Sequence, residues 1–361
     1  MRICFVGGFT SGGTERITYL LGSELSSKYR DLTIHILNMS CSKPVFPLSS
    51  ELLYSELEPR YRTGIFSRIR GIRHFVKNNN IDILISIEAM MGIFTIPATM
   101  GLKCKNICWD HANYYQTQGS RWIQYVRRFW LLYADAYILL TKRDLKNYKK
   151  IRKSRCHLLQ IYNPIKLISG TSQQYDKNSK VILSAGHIYY IKNFEIIPDI
   201  VKAIGDDFEG WQWHIYGSGS HENEQKLQKK IDLYGLSQKI ILKGRTCDMD
   251  KAYDKAAIYA LTSLQEGMPT VLLEAQLHGL PCVSFDIETG PDEIIHNNYD
   301  GYLVEPYDVN KYAEVLRNLI LNEDLRMQYS IMARNSVKSF NVNEIINIWY
   351  NLLNEIYNDR K

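Results

Sequence analysis

Short apolar runs, each followed by a polar or glycine-containing turn, recur along the whole chain. Such runs are typical of strands that are buried on both faces of a parallel sheet. They predict strands at residues 1–9, 33–38, 81–87, 105–109, 134–141, 181–185, 211–219, 239–244, 258–262 and 283–286. Residues 40–60 show no regular pattern and are expected to form irregular loops.

Between these runs, apolar residues return every three or four positions, which predicts amphipathic helices. The helices are expected at residues 17–25, 66–77, 142–155, 227–236, 252–257, 269–277, 308–322, 324–337 and 343–357. Strands that alternate with helices predict an α/β fold built from doubly wound, Rossmann-like units. A chain of 361 residues is long enough for about two such domains.

Composition adds little to this picture. The chain is 45% hydrophobic, which is ordinary for a globular protein, and it has no apolar run of the ~18 residues that a membrane-spanning helix needs. The opening residues 1–9 are too short and too soon followed by glycine for a signal peptide. Seven cysteines without a C-x-x-C pair predict reduced thiols and a cytoplasmic protein.

Charge is distributed unevenly along the chain. Residues 1–175 hold 25 Lys/Arg against 11 Asp/Glu, a net charge of +14, whereas the remainder holds 19 against 27, a net charge of −8. A basic amino-terminal half predicts an anionic partner, which is a membrane leaflet, a pyrophosphate-linked lipid or nucleic acid. Nucleic acid is disfavoured, because the chain has no zinc finger or RNA-binding motif and its carboxyl-terminal half is acidic.

Two segments of the basic half have the character of membrane-surface helices. Residues 60–77 place Arg and Lys among apolar residues at helical spacing, which fits either a core-facing helix with a solvated arginine face or a helix on anionic lipid. Residues 121–130 combine aromatic and basic side chains, which is typical of interfacial helices. The lipid interpretation predicts peripheral association with the anionic inner leaflet of the cell membrane.

Residues 261–281 are the most informative stretch, because a strand, a polar turn and a helix follow one another. Pro269 stands at the start of the helix, where a missing N–H costs nothing. The amides of the first helical turn carry partial positive charge, which suits phosphate. Glu266 and Glu274 lie eight positions apart around this turn. A carboxylate near bound diphosphate is suited to accept hydrogen bonds from sugar hydroxyls.

Glu266 and Glu274, with Gly-Met-Pro after the first of them, resemble the E-x7-E motif of retaining glycosyltransferases of the GT-B fold, family four. The resemblance implies two Rossmann-like domains that face each other across a cleft. It also implies that Glu266 contacts the donor hexose and that Glu274 holds the nucleotide ribose. The turn residues between them are expected to line the donor, namely Gly267, Met268, Pro269, Thr270 and Val271.

Two segments of the amino-terminal half resemble the same family. The loop after the first strand is similar to the family's G-G-x-E-R loop, which faces the donor phosphates and the acceptor, through Gly12, Gly13, Thr14 and Glu15. His111 follows a predicted strand, at the edge of the sheet where α/β folds bind ligands. By resemblance, His111 touches the donor sugar and shapes the acceptor pocket, although the family's E-H-N reads D-H-A-N here.

The family usually places an Arg and, five residues later, a Lys on the donor diphosphate. Lys192 fits the second position, but His187 stands at the first. A histidine has one short donor arm and a charge that depends on pH, so diphosphate binding by His187 is left open. Gly217 is expected near the nucleotide base. Arg245 is expected either to touch the nucleotide or to be an exposed surface arginine.

Asp248-Met249-Asp250 matches the D-x-D metal triplet of the other main glycosyltransferase fold. Here the triplet precedes a predicted helix, where Asp is a frequent cap, so we predict no catalytic metal and no cofactor.

The segment Asn163-Pro164 resembles the family's link between domains. It places an acceptor-binding domain at residues 1–165, with a helix at 343–361 packing back on it. A nucleotide-sugar-binding domain is expected at residues 170–340.

The resemblance implies a retaining, metal-independent transfer of a hexosyl or N-acetylhexosaminyl group from a UDP-sugar, UDP being the family's commonest nucleotide. The basic amino-terminal half and the family's usual acceptors suggest a lipid-pyrophosphate-linked glycan, as in bacterial O-antigen, capsule or exopolysaccharide synthesis. Two alternatives stay open: a nucleotide-sugar epimerase of similar architecture, and a catalytically inactive partner subunit docked on the membrane. His187 in place of Arg favours the inactive subunit, whereas the retention of Glu266, Glu274 and Lys192 opposes it.

Overall fold

The structure, a computed structural model, describes residues 1–9, 12–40, 44, 46–116, 122–151, 156–167 and 175–359. The chain divides into two compact units: Met1–Lys166 with Phe340–Lys361 form the first, and Leu167–Ser339 form the second. None of the helices in these ranges combines the length and the apolar character that crossing a membrane requires.

The first unit alternates strands and helices along the chain. Its elements are β1 (Arg2–Gly7), α1 (Gly13–Lys28), β2 (Thr33–Asn38), β3 (Leu52–Glu56), α2 (Ile65–Asn78), β4 (Ile83–Ile87), α3 (Gly92–Thr99), β5 (Lys105–Asp110), α4 (Trp122–Tyr133), β6 (Ala136–Leu139), α5 (Lys142–Lys149) and β7 (His157–Gln160). The strands form one parallel sheet in the order β3-β2-β1-β4-β5-β6-β7.

The second unit repeats this pattern. Its elements are β8 (Val181–Ala185), α6 (Ile197–Ile204), β9 (Gln212–Tyr216), α7 (His221–Leu233), β10 (Ile240–Gly244), α8 (Asp250–Asp254), β11 (Ile258–Leu261), α9 (Thr270–Leu277), β12 (Cys282–Phe285), β13 (Gly301–Val304), α10 (Val309–Leu321) and α11 (Glu323–Ser336). Its strands are also parallel, in the order β10-β9-β8-β11-β12-β13.

The last helix, α12 (Val342–Asn358), belongs to the first unit and packs on α1. The rings of Tyr29 and Tyr350 stack at 3.7 Å, and the Lys28 ammonium donates to the Asn347 side-chain oxygen at 2.7 Å. Trp349 is fully buried beneath this contact, edge-on to Trp109 in β5. An apolar stripe on α12 thus completes the core of the first unit.

Two parallel, doubly wound sheets confirm the predicted α/β fold class. In each sheet the strand order reverses at one point, between β1 and β4 in the first unit and between β8 and β11 in the second. Ligands of doubly wound folds bind outside the carboxyl ends of the strands at such a point, because the two flanking loops diverge there and leave a crevice. The candidate residues are therefore sought at these two places.

Several predicted boundaries were wrong. Residues 52–56 form β3, because at the edge of a sheet only part of a strand is buried and the apolar run is short. The helix expected at 252–257 is α8, which begins and ends earlier, at Asp250–Asp254. α5 ends at Lys149, and residues 152–155, predicted to continue it, lie outside the described part of the chain.

Candidate active site

In the second unit, the loops after β8 and β11 meet where the strand order reverses. β8 pairs with β11, so the chain that leaves Ala185 runs beside the chain that leaves Leu261. These loops carry Lys192 and Glu266. The Lys192 ammonium lies 2.6 Å from the Glu266 carboxylate, and the two side chains are 20% and 14% exposed. The residues predicted to serve the diphosphate and the sugar therefore share one charge-assisted hydrogen bond.

Two hydroxyl groups anchor the main chain on either side of this pair. The Thr262 hydroxyl donates to the Lys192 carbonyl oxygen at 2.8 Å. The Thr289 hydroxyl donates to the Glu266 carbonyl oxygen at 2.7 Å. Thr262 and Thr289 are both buried, so these bonds are shielded from water and hold the two loops in register.

The turn that leads into α9 is closed by a glycine. Gly290 has a φ of 107°, and a Cβ there would lie 2.6 Å from Pro269 Cδ and 3.0 Å from the Gly267 carbonyl oxygen. Glycine is therefore required by both backbone conformation and space. Gly267, Met268 and Pro269 lie against Gly290, and the other two predicted donor-lining residues, Thr270 and Val271, begin α9 with its free first-turn amides.

Glu274, on α9, has a partner that sequence reasoning missed. The Tyr253 hydroxyl donates to Glu274 Oε2 at 2.9 Å. Tyr253 is buried in α8 and stands 21 positions before Glu274 in the chain. No motif marks it, and the contact joins α8, which precedes β11, to α9, which follows that strand.

Three further predicted residues follow β8, β9 and β10 at the carboxyl edge of the sheet. His187 is exposed. Gly217 has a φ of 139°, and a Cβ there would lie 1.8 Å from the Gly186 carbonyl oxygen, which only glycine avoids. Arg245 is exposed, and its Nε donates to Ser218 Oγ at 2.5 Å. The structure thus places all three on one edge of the sheet, and their contacts with a nucleotide stay predictions.

The D-x-D triplet makes contacts within the protein. The Lys251 amide donates to Asp248 Oδ1 at 3.3 Å at the start of α8, which is the predicted capping role. Asp250 Oδ1 lies 3.3 Å from His278 Nε2, at the end of α9. The second aspartate of the triplet therefore links two helices.

In the first unit, the glycine loop borders a pocket at the point where the strand order reverses. The loop leaves β1, and α1 begins at Gly13; Thr10 and Ser11 lie outside the described residues. The pocket has a volume of about 120 Å³ and is lined by Gly8, Phe9, Gly12, Thr14, Glu15, Ile87 and Glu88. Three of the four predicted loop residues therefore face this pocket, and Glu15 is almost fully buried in its wall.

Glu88 is a second residue that sequence reasoning missed. It follows β4 with a φ of 78°, an unusual value for a residue with a side chain, and its amide donates to the Trp109 carbonyl oxygen at 3.0 Å. Burial, and secondarily the nearby Asp110 carboxylate, raises the pKa of its carboxyl to about 7. The residue as a whole is nonetheless exposed to solvent, which weakens this effect of burial. Like His111, Glu88 directly follows a buried strand, and this position is the sequence feature that could have marked it as a candidate.

His111 presents a neutral imidazole. It follows β5, and its ring centroid lies 4.4 Å from that of Trp109. Burial lowers the pKa of His111 to about 3, so the ring is uncharged near neutral pH. In the described part of the chain, the buried His111 Nε2 has no hydrogen-bond partner. An uncharged ring with an open nitrogen suits a sugar hydroxyl better than a phosphate.

The residues after His111 are held by a buried arginine. Arg127 is fully buried; its Nη1 donates to the Tyr114 carbonyl oxygen at 2.7 Å and its Nη2 to that of Asn113 at 2.8 Å. Its Nε lies 3.3 Å from Asp110 Oδ2, which also accepts from the Tyr137 hydroxyl at 2.6 Å. The prediction that residues 121–130 present their basic side chains to a membrane was therefore wrong for Arg127, whose charge is neutralised inside the protein.

The outer face of α4 is nonetheless aromatic. Trp122 and Tyr125 are 72% and 62% exposed, Leu132 and Tyr133 follow on the same face, and Arg121 lies outside the described residues. On α2, Phe66 is also exposed. Among the arginines predicted to form the basic face, several bond within the first unit instead, namely Arg62, Arg68 and Arg73.

A comparison with known protein families finds a match in the second unit. Residues 171–336 match the family described as "Glycosyl transferases group 1". Over these residues the chain is similar to glycosyltransferases of group 1. The match includes the residues of the second unit discussed above, from His187 to Gly290.

The chain is also similar to bacterial glycosyltransferases over nearly its whole length. It is 28% identical to the amylovoran biosynthesis glycosyltransferase AmsD of Erwinia amylovora, over 98% of this chain and 99% of that protein. It is 26% identical to a Campylobacter jejuni alpha-1,4-N-acetyl-D-galactosaminyltransferase whose name specifies an acceptor on PP-undecaprenol, over 99% of each chain. A crystal structure of Anabaena HepE in complex with UDP superposes with a TM-score of 0.81, at 15% identity, over 98% of this chain and 100% of that chain. The GT-B fold is thereby confirmed.

The residues of the second unit suit the transfer of a group from a phosphate ester. In the second unit, the Lys192 ammonium lies beside the Glu266 carboxylate, and Glu266 stands four positions before the start of α9. A cation beside helix amides stabilises negative charge that develops on a departing phosphate. A carboxylate beside them accepts hydrogen bonds from hydroxyl groups.

Proposed function

We propose that the chain is a retaining, metal-independent glycosyltransferase that moves a hexosyl or N-acetylhexosaminyl group from a UDP-sugar to a lipid-pyrophosphate-linked glycan. The observation that carries this proposal is the Lys192–Glu266 pair at the strand-order reversal of the second unit. It offers one partner for a diphosphate and one for sugar hydroxyls at the same place. UDP is supported by the UDP complex of HepE, and a lipid-linked acceptor by the name of the Campylobacter relative.

In this proposal, the bond between the sugar C1 and the diphosphate oxygen breaks, and negative charge develops on the leaving UDP. Lys192 and the amides that open α9 stabilise that charge, so that a divalent metal is not required. His187 or Arg245 completes the contacts with the diphosphate. Lys192 is already held in the crevice by Glu266, which limits the rotamer entropy that it loses when the donor binds.

The carboxylates and the histidine orient the donor and the sugar. Glu266 accepts hydrogen bonds from hydroxyls of the donor sugar, and Glu274 accepts them from the ribose. The neutral His111 exchanges a hydrogen bond with a sugar hydroxyl through Nε2. For retention, the acceptor hydroxyl attacks the face that the diphosphate leaves, and a donor phosphate oxygen takes its proton. No side chain is assigned as general base.

We further propose that the first unit docks on the anionic inner leaflet of the membrane, where a lipid-linked acceptor resides. Two observations support this. Residues 1–175 carry a net charge of +14, which attracts anionic lipid. The outer face of α4 exposes Trp122 and Tyr125, and such side chains favour the interface between lipid and water.

A donor panel tests the proposed function. The protein is incubated with UDP-, GDP- and ADP-sugars, a membrane lipid extract and EDTA, and release of the free nucleotide is measured. We expect UDP release that needs the lipid extract, persists in EDTA and disappears in Glu266→Ala. Interconversion of the donor sugar without lipid would indicate an epimerase instead. Binding of UDP without turnover of any donor would indicate an inactive partner subunit.

A further inference from the structure

We propose, on the basis of the function proposed above, that Tyr253 is a positioning residue that holds Glu274 in the orientation required to bind the nucleotide ribose. The Tyr253 hydroxyl donates to Glu274 Oε2 at 2.9 Å. Tyr253 is 1% exposed, so water competes little for this bond. The contact fixes one oxygen of the carboxylate and therefore the plane of the group.

The ring of Tyr253 also packs against the imidazole of His278. The rings of Tyr253 and His278 stack with centroids 5.2 Å apart and an angle of 24° between their planes. His278 Nδ1 lies 2.7 Å from Asp254 Oδ1, and its Nε2 lies 3.3 Å from Asp250 Oδ1. Both nitrogens of the imidazole are therefore occupied by carboxylates of α8, and the ring that supports Tyr253 cannot turn freely.

The contacts of Tyr253 and His278 connect α8 with α9 at two places. Glu274 and His278 lie one turn apart on α9, and the His278 amide donates to the Glu274 carbonyl oxygen at 3.2 Å. Tyr253 and the two aspartates lie on α8. The carboxylate of Glu274 is thus braced by a strut, which we define as Asp250, Asp254, His278 and Tyr253. The D-x-D triplet acquires a role here, because its second aspartate forms the outer end of the strut.

The strut matters for binding because a glutamate side chain has several rotatable bonds. A free carboxylate would lose rotamer freedom when it engaged the ribose hydroxyls, whereas a carboxylate that is already fixed loses little. The strut lies on α8 and at the end of α9, whereas the diphosphate-binding and sugar-binding candidates Lys192 and Glu266 follow β8 and β11. It should therefore affect donor affinity much more than the rate of the chemical step.

Tyr253→Phe tests this role, because it removes one hydroxyl and leaves the stacked ring in place. Binding of UDP and of 2′,3′-dideoxy-UDP to the full chain is measured by calorimetry, with kcat and KM for the donor measured in parallel. We expect wild type to prefer UDP, and we expect Tyr253→Phe to bind UDP about three- to tenfold more weakly with an unchanged affinity for the dideoxy ligand. The donor KM should rise by the same factor while kcat stays constant.

Tyr312→Phe is the matched control. Tyr312 is buried in the same unit, and its hydroxyl donates to the Leu261 and Val283 carbonyl oxygens, away from Glu274. It should lower thermal stability without changing the preference for UDP. Should Tyr253→Phe fail to fold, Asp250→Ala carries the test, because Asp250 is exposed at the outer end of the strut and its loss should reduce the same preference.

The outcomes separate this role from the proposed function. A Tyr253→Phe or Asp250→Ala variant that keeps the full preference for UDP over the dideoxy ligand would overturn the positioning role and leave the proposed function intact. An equal loss of affinity for both ligands would also overturn it, since that is what a merely structural role produces. A wild-type protein that binds UDP and its dideoxy analogue equally would overturn the ribose contact of Glu274 itself.

Discussion

The Lys192 ammonium and the Glu266 carboxylate lie 2.6 Å apart, although 74 positions separate the two residues in the chain. They meet because β8 and β11 are neighbours in the sheet and both residues lie in the loops that follow these strands. Each side chain keeps the other extended into the crevice. In the proposed function, this pairing holds the cation for the diphosphate beside the carboxylate for the sugar before the donor binds.

Removal of the cation should affect catalysis strongly. In Lys192→Met we expect kcat/KM to fall by about 10²–10³, because the charge on the leaving diphosphate loses its main stabilising group. The double variant with Glu266→Gln should lose less than the two single variants predict together, since each single change leaves the partner unpaired. Lys226→Met is the control: its ammonium pairs with Glu195 on the surface of the same unit, and its kcat/KM should change by less than about twofold. Equal losses in the two lysine variants would contradict the assignment.

The buried arginine should be essential for the stability of the first unit. Arg127→Met removes the cation beside the buried Asp110 carboxylate and deprives the carbonyls of Asn113, Tyr114 and Gln116 of their donor. We expect the free energy of unfolding to fall by about 3–5 kcal/mol, measured by urea denaturation. In the exposed neighbour Arg128→Met, the change should stay within about 0.5 kcal/mol. Similar midpoints for the two variants would show that the buried network carries little stability.

The structure also explains where sequence analysis succeeded and where it failed. Lys192 and Glu266 were predictable, because each follows a buried apolar run and parallel strands bring their carboxyl ends to one edge. Arg127 was not, because its charge is satisfied by Asp110, 17 positions earlier, and by carbonyl groups that no side-chain pattern reveals. Helical periodicity alone does not decide whether Arg127 lies on the buried or the exposed face of α4.

Tyr253 and Glu88 illustrate two other limits. The contact of Tyr253 with Glu274 depends on how two helices pack, which local sequence does not encode. Glu88 could have been found as His111 was, because it directly follows a buried strand. Its positive φ could not have been predicted, since few residues with side chains adopt one. The edge strand β3 was missed because only the first of its five residues, Leu52, is buried.

Stability should depend on pH through Asp144. Burial, and secondarily the Asp110 carboxylate, raises the pKa of Asp144 from 3.8 to about 7, although the Tyr114 amide opposes this shift. Between these values the folded chain keeps a proton that the unfolded chain has released. Asp144 therefore contributes a decrease in the free energy of unfolding as pH rises through this window, and below pH 6.5 the lowered pKa of His111 contributes an opposing increase.

Urea denaturation at pH 5, 6, 7 and 8 checks this dependence. Asp144→Asn should make the decrease of the free energy of unfolding with pH less steep. Glu88, which titrates in the same range, should account for the decrease that remains. Glu58→Gln, at an exposed surface pair, should keep the wild-type slope. A slope that is unchanged in Asp144→Asn would show that this carboxyl does not titrate as described.

Membrane association should depend on the outer face of α4. Replacement of Trp122 and Tyr125 with Ser removes large exposed rings without touching the core, and we expect about tenfold weaker flotation with anionic vesicles. Leu233→Ser, at a comparably exposed apolar position of the second unit, should float as wild type does. Equal flotation of all three proteins, or none by wild type, would remove the docking proposal.

Transfer of labelled sugar tests the central proposal most directly. Wild type, Lys192→Met and Lys226→Met are incubated in EDTA with membrane lipid extract and the radiolabelled UDP-sugar that the donor panel selects. The label that moves into the organic phase is then counted. We predict transfer by wild type and Lys226→Met and a loss of about 10² or more in Lys192→Met. Consumption of the donor without label in the lipid phase, or transfer by Lys192→Met at the wild-type rate, would contradict the proposed function.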